Sequence, residues 1–465
     1  MKIIPLHRNL SRQFIVAIGY IAAVIFLISC TGGAFETSYA IAIRGLLVIS
    51  LSLLPGAIYL SSQDRSSLPL MPMNSLFYTI AFGMPAFSQA SDRRLVVHDI
   101  IRESSLETTI YALLAQIIFY YTTFALLPWS RIQFFAGGIS STQVRQMAWT
   151  LIACKIIGIA IPSLGTIPTV GQFSSLAGII GTALIYGLYL IRKLSPVECL
   201  IFFAMFIPVE LALRISTGSI ANAMLLCLLL ITVKWAVASR VDWVILFVLL
   251  ITFILFAPHK QEYRRITWSN DRGELSSIEK FVIYIEIVSN SWQSERTPLP
   301  EAEANAIAQR FNQLVILDIV HAYTPELVPY WNGKTLESGW TVFIPRLIWN
   351  DKPTQTIGNE FGHRYFLLDS EDQTTSINLP WLIELYANFG DSGVIIGFCI
   401  FGGLFAAIDR TFGKPNSHLL NRLLPLGLTL NLGYPESNII VLWGGLVLGS
   451  LGLYLATRFI AELRL

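Results

Sequence analysis

Long apolar runs, each bounded by clustered charges, set the pattern of this chain. They fall near residues 14–30, 40–60, 74–90, 107–127, 147–165, 174–191, 197–213, 219–237, 241–257, 386–408, 418–434 and 437–457. Each holds about 17–22 residues, and a helix needs about 20 to cross a hydrocarbon core about 30 Å thick. Backbone N–H and C=O groups have no water to bond in that core, so each run must satisfy its own as a helix. The alternating polarity of a membrane barrel is absent. The pattern therefore predicts an all-α polytopic membrane protein with about twelve transmembrane helices. One long polar segment, 258–378, interrupts them. It divides the chain into 1–257 with about nine spans, the segment itself, and 379–465 with about three.

Charge placement orients these spans. Lys2, Arg8 and Arg12 precede the first run and place the N-terminus in the cytoplasm. Twelve crossings then put Arg65, Arg131, Arg145, Arg192, Lys193, Lys234, Arg240, Arg410, Lys414 and the C-terminal Arg458 and Arg464 inside as well. The first run could be a signal peptide. It is long for one and a second span follows at once, so it is read as the first transmembrane helix. The segment 258–378 falls on the periplasmic or extracellular side. The loop 91–106, with Arg93, Arg94 and Arg102, also falls outside and breaks the rule.

Composition agrees with this picture. Of 465 residues 54% are hydrophobic and only 13% charged, against about 25% charged in soluble domains. A net charge of +2 without a basic block gives no sign of a nucleic-acid partner. Cys30, Cys154, Cys199, Cys227 and Cys399 all lie in or beside apolar runs. The external segment thus has no disulfide framework and no cysteine nucleophile.

The external segment has internal order. Leu275, Ile278, Phe281, Val282 and Ile285 recur at helical spacing, as do Ala304, Ile307, Ala308, Phe311, Leu314 and Val315. Both stretches predict amphipathic helices, packed on each other or laid along the membrane surface, and Pro325 stops the second. From 325 to 378 proline, glycine and aromatic residues predict an ordered loop without regular structure.

Three clusters in this segment could carry chemistry. At its start Lys260, Arg264 and Arg265 follow a span directly. They either snorkel to headgroups or form an anion site, for which the planar guanidinium fork suits phosphate oxygens. Further on, Ile344-Pro345-Arg346-Leu347-Ile348-Trp349-Asn350-Asp351-Lys352-Pro353 is followed by Gly358-Asn359-Glu360-Phe361-Gly362-His363-Arg364-Tyr365. Prolines and glycines shape the backbone around the cations here, and Trp349 and Tyr365 offer flat faces for sugars. Finally Glu384 opens an apolar run, where a carboxylate is costly unless paired or functional. Elsewhere Arg214 follows a span, Arg44 lies within one near its outer end, and His321 ends an amphipathic stretch. Arg44 can snorkel, and His321 is either a base or the polar tip of a packed helix. Lys155 and Glu210 are the main charges inside the spans. P-loop, dinucleotide, nucleophile-elbow and zinc-site spacings are missing, so no metal and no cofactor is expected.

The set Thr324-Pro325, Val328-Pro329-Tyr330, Gly333, the Pro345–Pro353 string, Gly358–Gly362, Glu384–Gly390 and Gly393 resembles the bacterial O-antigen and exopolysaccharide repeat-unit polymerases of the Wzy type. The likeness is good over about 300–410 and weaker at Arg214–Ser219 and Glu262–Trp268. Some members carry an arginine, ten residues and a glycine; Arg346 and Gly358 are separated by eleven. The resemblance implies a metal-independent GT-C-like glycosyltransferase, multi-pass in the bacterial plasma (inner) membrane. It would polymerise undecaprenyl-diphosphate-linked oligosaccharide units on the outer face. Membrane lipids and a chain-length regulator and flippase of the same pathway are the partners it implies.

On this reading Arg346, Lys352, Arg364, Arg264, Arg265 and Arg214 would stabilise the leaving diphosphate. Glu384, Glu360, Asp351 or His321 would act as base or orient the acceptor. Trp331, Trp340, Trp349 and Tyr365 would hold sugars. An O-antigen-ligase-like transferase shares the architecture, and a carrier or flippase for lipid-linked sugars is the alternative of another class.

Overall fold

The structure is a computed structural model. It describes residues 16–25, 38–62, 68–87, 99–129, 140–160, 168–238, 240, 242–267, 275–293, 312–344, 349, 356–373, 375–414, 418–447 and 449–450. Among these residues there is no strand, and helix predominates. Five helices are long and apolar enough to cross a membrane: Tyr39–Ser61 (α2), Asp99–Leu126 (α4), Pro196–Ser216 (α7), Ile220–Ala238 (α8) and Trp381–Phe412 (α14). The other helices are Val16–Ile25 (α1), Leu70–Tyr78 (α3), Ser141–Ala160 (α5), Pro168–Leu190 (α6), Trp243–Phe256 (α9), Lys260–Thr267 (α10), Ser277–Gln293 (α11), Gln313–Tyr323 (α12), Ile357–Arg364 (α13) and Leu419–Thr429 (α15). A last helix, α16, covers 439–447.

The chain forms two compact units. The first comprises Met1–Ile132, Phe311–Asn416 and Asn431–Leu465. Its core is α14 laid along α4. They meet at Gly402, where an added Cβ would fall 2.5 Å from the Gln116 carbonyl of α4. Several polar groups inside this core pair with one another, which lowers their cost in a bilayer. Tyr120 donates to Asp409 at 2.5 Å, Gln116 to Asn74 at 2.9 Å, and Asn74 to the Leu432 carbonyl at 2.8 Å. Trp381, Phe401 and Trp443 pack their rings between α14 and α16.

The second unit comprises Gln133–Arg310 and Ser417–Leu430. There α5 and α6 approach through Gly178 and Gly181, and the Lys155 stem crosses Gly178. Lys155 and Arg214 both donate to one oxygen of Glu210, Arg214 at 2.6 Å. Helices α10 and α11 stack Tyr263 on Tyr284 at 4.1 Å between ring centroids. Tyr263 also donates to the Ser216 carbonyl beneath the tight turn at Gly218.

Several boundaries depart from the hydropathy reading, each for a local reason. The expected span 74–90 is a helix that loosens to a π turn at Thr79–Gly83 and tightens to a 3₁₀ turn at Met84–Phe87. Pro85 lacks an N–H and its ring crowds the carbonyl four residues back. The expected span 107–127 begins at Asp99, eight residues earlier, because its charged first turns are paired rather than solvated. Arg44 meets Glu103 at 3.3 Å and Glu107 at 2.5 Å, so it is an ion-pair partner, not a snorkelling side chain. Arg102, from the anomalous basic loop, reaches Asp318 of α12 at 3.2 Å. Helix α7 runs on past Arg214 to Ser216, and α14 starts at Trp381, directly after Pro380.

The second amphipathic helix ends at Tyr323, directly before the cis Thr324–Pro325 bond; its expected start at 304 lies outside the described residues. The stretch 325–378, expected to lack regular structure, holds helical turns at Lys334–Glu337 and Ser338–Phe343 and the helix α13. These pieces are too short to show a helical period.

Candidate functional site

Helix α14 has 32 residues and is roughly 48 Å long at 1.5 Å per residue, well beyond a hydrocarbon core of about 30 Å. It is broken at Gly390, whose φ of 65° and ψ of −159° are non-helical. The break frees the carbonyls of Ala387 and Asn388 from their helical partners. The loop backbone takes them up: Trp331 N–H donates to Ala387 O at 3.0 Å and Asn332 N–H to Asn388 O at 3.1 Å. The Asn388 side chain accepts Gly333 N–H at 2.9 Å and donates to Thr335 at 2.8 Å. The 331–335 turn is thereby fixed to α14. An alanine at 390 would enter a backbone region essentially reserved for glycine, and its Cβ would lie 2.9 Å from the Tyr330 hydroxyl. We expect Gly390→Ala to lower unfolding stability by roughly 1–3 kcal/mol, read from the denaturation midpoint.

Asp391 follows the break and is exposed. It is the last charged residue of α14 before an uncharged stretch from Ser392 to Ile408, just as Glu107 is the last on α4 before Leu126. At this level the buried Thr108 of α4 donates to Asp391 and lies 3.2 Å from His321 Nε2 of α12. His321 stacks on the Tyr386 ring with centroids 3.8 Å apart, and Tyr330 stands edge-on to Tyr386 at 6.4 Å. Burial pushes the imidazole down to about 4, against the opposing pull of Asp391. At neutral pH it is uncharged and able to accept a proton.

Arg364 completes the cluster. It donates to the Pro329 carbonyl next to Tyr330, and its guanidinium lies 5.3 Å from the Trp331 ring centroid. Trp331 is itself buried, as is Tyr365, whose phenol bonds Thr324 at 2.8 Å. Burial pushes that phenol up. Trp340 and Trp349 stack at 5.7 Å, and Trp340 is 60% exposed. Of the four aromatic residues expected to hold sugars, this pair offers an open face and the other two belong to the core.

One comparison with known proteins bears on this constellation. The family model of a domain of unknown function, DUF8712, matches residues 69–413. The chain belongs to the DUF8712 family. No curated protein matches it, and no solved structure does. Thr108, His321, Arg364 and Asp391 all lie inside the DUF8712 region, whereas α16 lies beyond it.

The remaining residues singled out in the sequence fall elsewhere in the DUF8712 chain. Glu384 is fully buried and accepts the Ile439 N–H at 2.7 Å, with the Thr335 hydroxyl beside it. Its carboxylate holds the start of α16 against α14. Glu360 pairs with Lys334 at the surface. Arg346, Asp351 and Lys352 lie outside the described residues. Arg214, Arg264 and Arg265 belong to the second unit, where Arg214 and Arg264 flank the Gly218 turn. Arg214 is committed to Glu210 and to the Asn222 carbonyl at 3.0 Å. No group of three or more His, Cys, Asp or Glu among the described residues is arranged to hold a metal.

Sequence reasoning missed Thr108 and Asp391. Asp391 had a visible signal, since Gly390-Asp391-Ser392-Gly393 puts a charge and two glycines early in an otherwise apolar run. Thr108 had none, because only the packing of α4 against α12 and α14 brings it to His321.

Proposed function

We propose that the DUF8712 chain is a membrane glycosyltransferase that polymerises undecaprenyl-diphosphate-linked oligosaccharide units on the outer face of the bacterial plasma membrane. The observation that carries this reading is His321, an uncharged imidazole held by Thr108 beside Asp391 where the charged ends of α4 and α14 give way to apolar helix. A lipid-linked substrate presents its reacting bond at such a level. The reading includes about twelve crossings in a GT-C-like arrangement, with both termini in the cytoplasm.

In the reaction the acceptor hydroxyl oxygen attacks the anomeric carbon of the donor sugar. The bond from that carbon to the diphosphate oxygen breaks, and the diphosphate leaves with the electron pair. The hydroxyl proton passes to His321, the role an uncharged imidazole fits. Arg364 and the expected cations Arg346 and Lys352 offset the charge on the leaving group. Trp340 and Trp349 give a stacked surface for sugar rings. Glu384, buried and bonded to α16, acts as a structural anchor in this scheme.

The deciding experiment is incubation of the purified protein with lipid-linked repeat units. Ladders of lengthening product support polymerisation. Transfer to a different acceptor supports the ligase alternative, and unchanged substrate removes the enzyme reading. The buried Lys155–Glu210–Arg214 set favours a second reading, a carrier for lipid-linked sugars; substrate movement across vesicles without bond formation would support it. The low imidazole value also predicts the pH profile. The base works when unprotonated, so the rate holds as pH falls through 6.5, where an ordinary histidine protonates, and drops only as pH approaches about 4. An acidic limb centred near 6.5 would show instead that burial does not hold the imidazole down in the working enzyme.

A further inference from the structure

Thr108 differs from the serine and threonine hydroxyls beside it on α4. Ser104, Ser105 and Thr109 each bond back to the carbonyl four residues earlier, at 3.0, 3.1 and 2.9 Å. That is the usual use of a hydroxyl in a helix. Thr108 instead faces away from α4, towards Asp391 on α14 and His321 on α12. A threonine hydroxyl has one proton to give, and a carboxylate can only accept. With that proton directed to Asp391, the Thr108 oxygen must accept from the imidazole.

We infer that His321 carries its ring proton on Nε2 and presents Nδ1 as its basic nitrogen, with Thr108 and Asp391 as the positioning residues that set this tautomer. The geometry that supports it is the 3.2 Å separation of Nε2 from the Thr108 oxygen and the stacking of the ring on Tyr386, which prevents it from turning over freely. The break at Gly390 is what lets Asp391 take part. A continuous helix would carry residue 391 at the register of its neighbours, whereas here it opens the second half of α14. A carboxylate is also favoured at that point by the free N–H groups of a helix start.

The ionisable groups around His321 are few. On α14 they are Asp391 and Tyr386; on α4, Glu107 is engaged by Arg44, and Arg102 is engaged by Asp318 of α12 itself. The π turn at Thr79–Gly83, which also packs on α12, holds none. Asp391 is therefore the charged group whose removal acts most directly on the ring.

The consequence for catalysis rests on the proposed transferase function, but the tautomer does not. In the reaction the acceptor proton is taken by Nδ1. The imidazolium so formed keeps its Nε2–H on Thr108, which relays the Asp391 charge to it. Neutralising Asp391 should cost roughly 10²-fold in kcat with little change in KM. That is less than the ~10⁴-fold loss when a carboxylate bonded directly to a catalytic histidine is neutralised, because a hydroxyl intervenes.

The test is 15N NMR of the full-length protein in lipid nanodiscs with labelled histidine, using His321→Gln to assign the signal among the six histidines. The expected result is the Nε2–H form at neutral pH. It should persist in Thr108→Ser and give way to a mixture of tautomers in Thr108→Val. Asp391→Asn, at an exposed position that tolerates an amide, should lower the pH at which the ring protonates and move the acidic limb of the rate the same way. A Nδ1–H signal in the wild type overturns the assignment. So does a ring whose tautomer and titration are untouched by both Asp391→Asn and a folded Thr108→Val. If the Nε2–H form is found but His321→Gln retains full transferase rate, the catalytic reading fails and the tautomer assignment stands.

Discussion

Alanine in place of His321 is expected to reduce repeat-unit transfer by roughly 10²–10⁴-fold, the range contributed by a positioned general base. Initial rates of lipid-linked substrate consumption by purified wild-type and variant protein give the number. The ring also packs on Tyr386, so truncation opens a cavity as well as removing a base. His321→Gln keeps most of the volume and separates the two effects. A glutamine variant with wild-type melting behaviour and a rate within about twofold of wild type would remove His321 from the chemistry.

Loss of the Arg102 side chain is expected to be the most damaging single change to stability near the site. Asp318 is fully buried and Arg102 is its 3.2 Å partner. Removing one member of a buried pair strands the other charge, typically at a cost of about 3–5 kcal/mol. Burial already pushes Asp318 above the usual carboxylate range, with Arg102 holding it back. Without Arg102 the carboxyl moves higher still and takes up a proton as pH falls.

The sign follows from proton binding. The unfolded chain of Arg102→Ala has an ordinary aspartate, ionised at pH 7, while its folded state prefers the protonated form. The deficit relative to wild type should therefore be largest at neutral and alkaline pH, and should shrink as pH falls towards the raised folded value. Denaturation midpoints at several pH values test this. Replacing both partners by apolar residues, Arg102→Met with Asp318→Leu, should recover much of the loss. Equal deficits for the single and double variants would show that the pair is not the source. Because Asp318 lies one turn before His321 on α12, transfer activity should fall with Arg102→Ala and return in part with the double variant.

Much of this molecule follows from the order of its residues. The apolar runs had to be helices because hydrocarbon offers no partner for an open backbone, and α2, α4, α7, α8 and α14 lie where hydropathy places them. The first amphipathic stretch gave α11 through its repeating apolar face, and the described end of the second, Leu314 and Val315, lies in α12. His321, Arg364 and Trp340 were singled out from the sequence; in the structure His321 meets Thr108 and Tyr386, Arg364 lies over the Trp331 ring, and Trp340 is exposed.

What the sequence could not disclose depends on contacts between distant segments. Hydropathy treats each charge as a cost, so it started the fourth span at 107 rather than at Asp99 and left Arg44 and Arg102 without partners. Partners on other helices, Glu103, Glu107 and Asp318, turn those costs into ion pairs. It also marked Glu384 for chemistry, and only packing shows that one of its carboxylate oxygens accepts the Ile439 N–H. The grouping of Thr108, His321 and Asp391 spans 283 residues of chain. Periodicity carries information over a few turns of helix, whereas side chains so far apart are neighbours only because α4, α12 and α14 share one core. The long polar segment could be located from the sequence, but the proton carried by one of its histidines is a matter of tertiary structure.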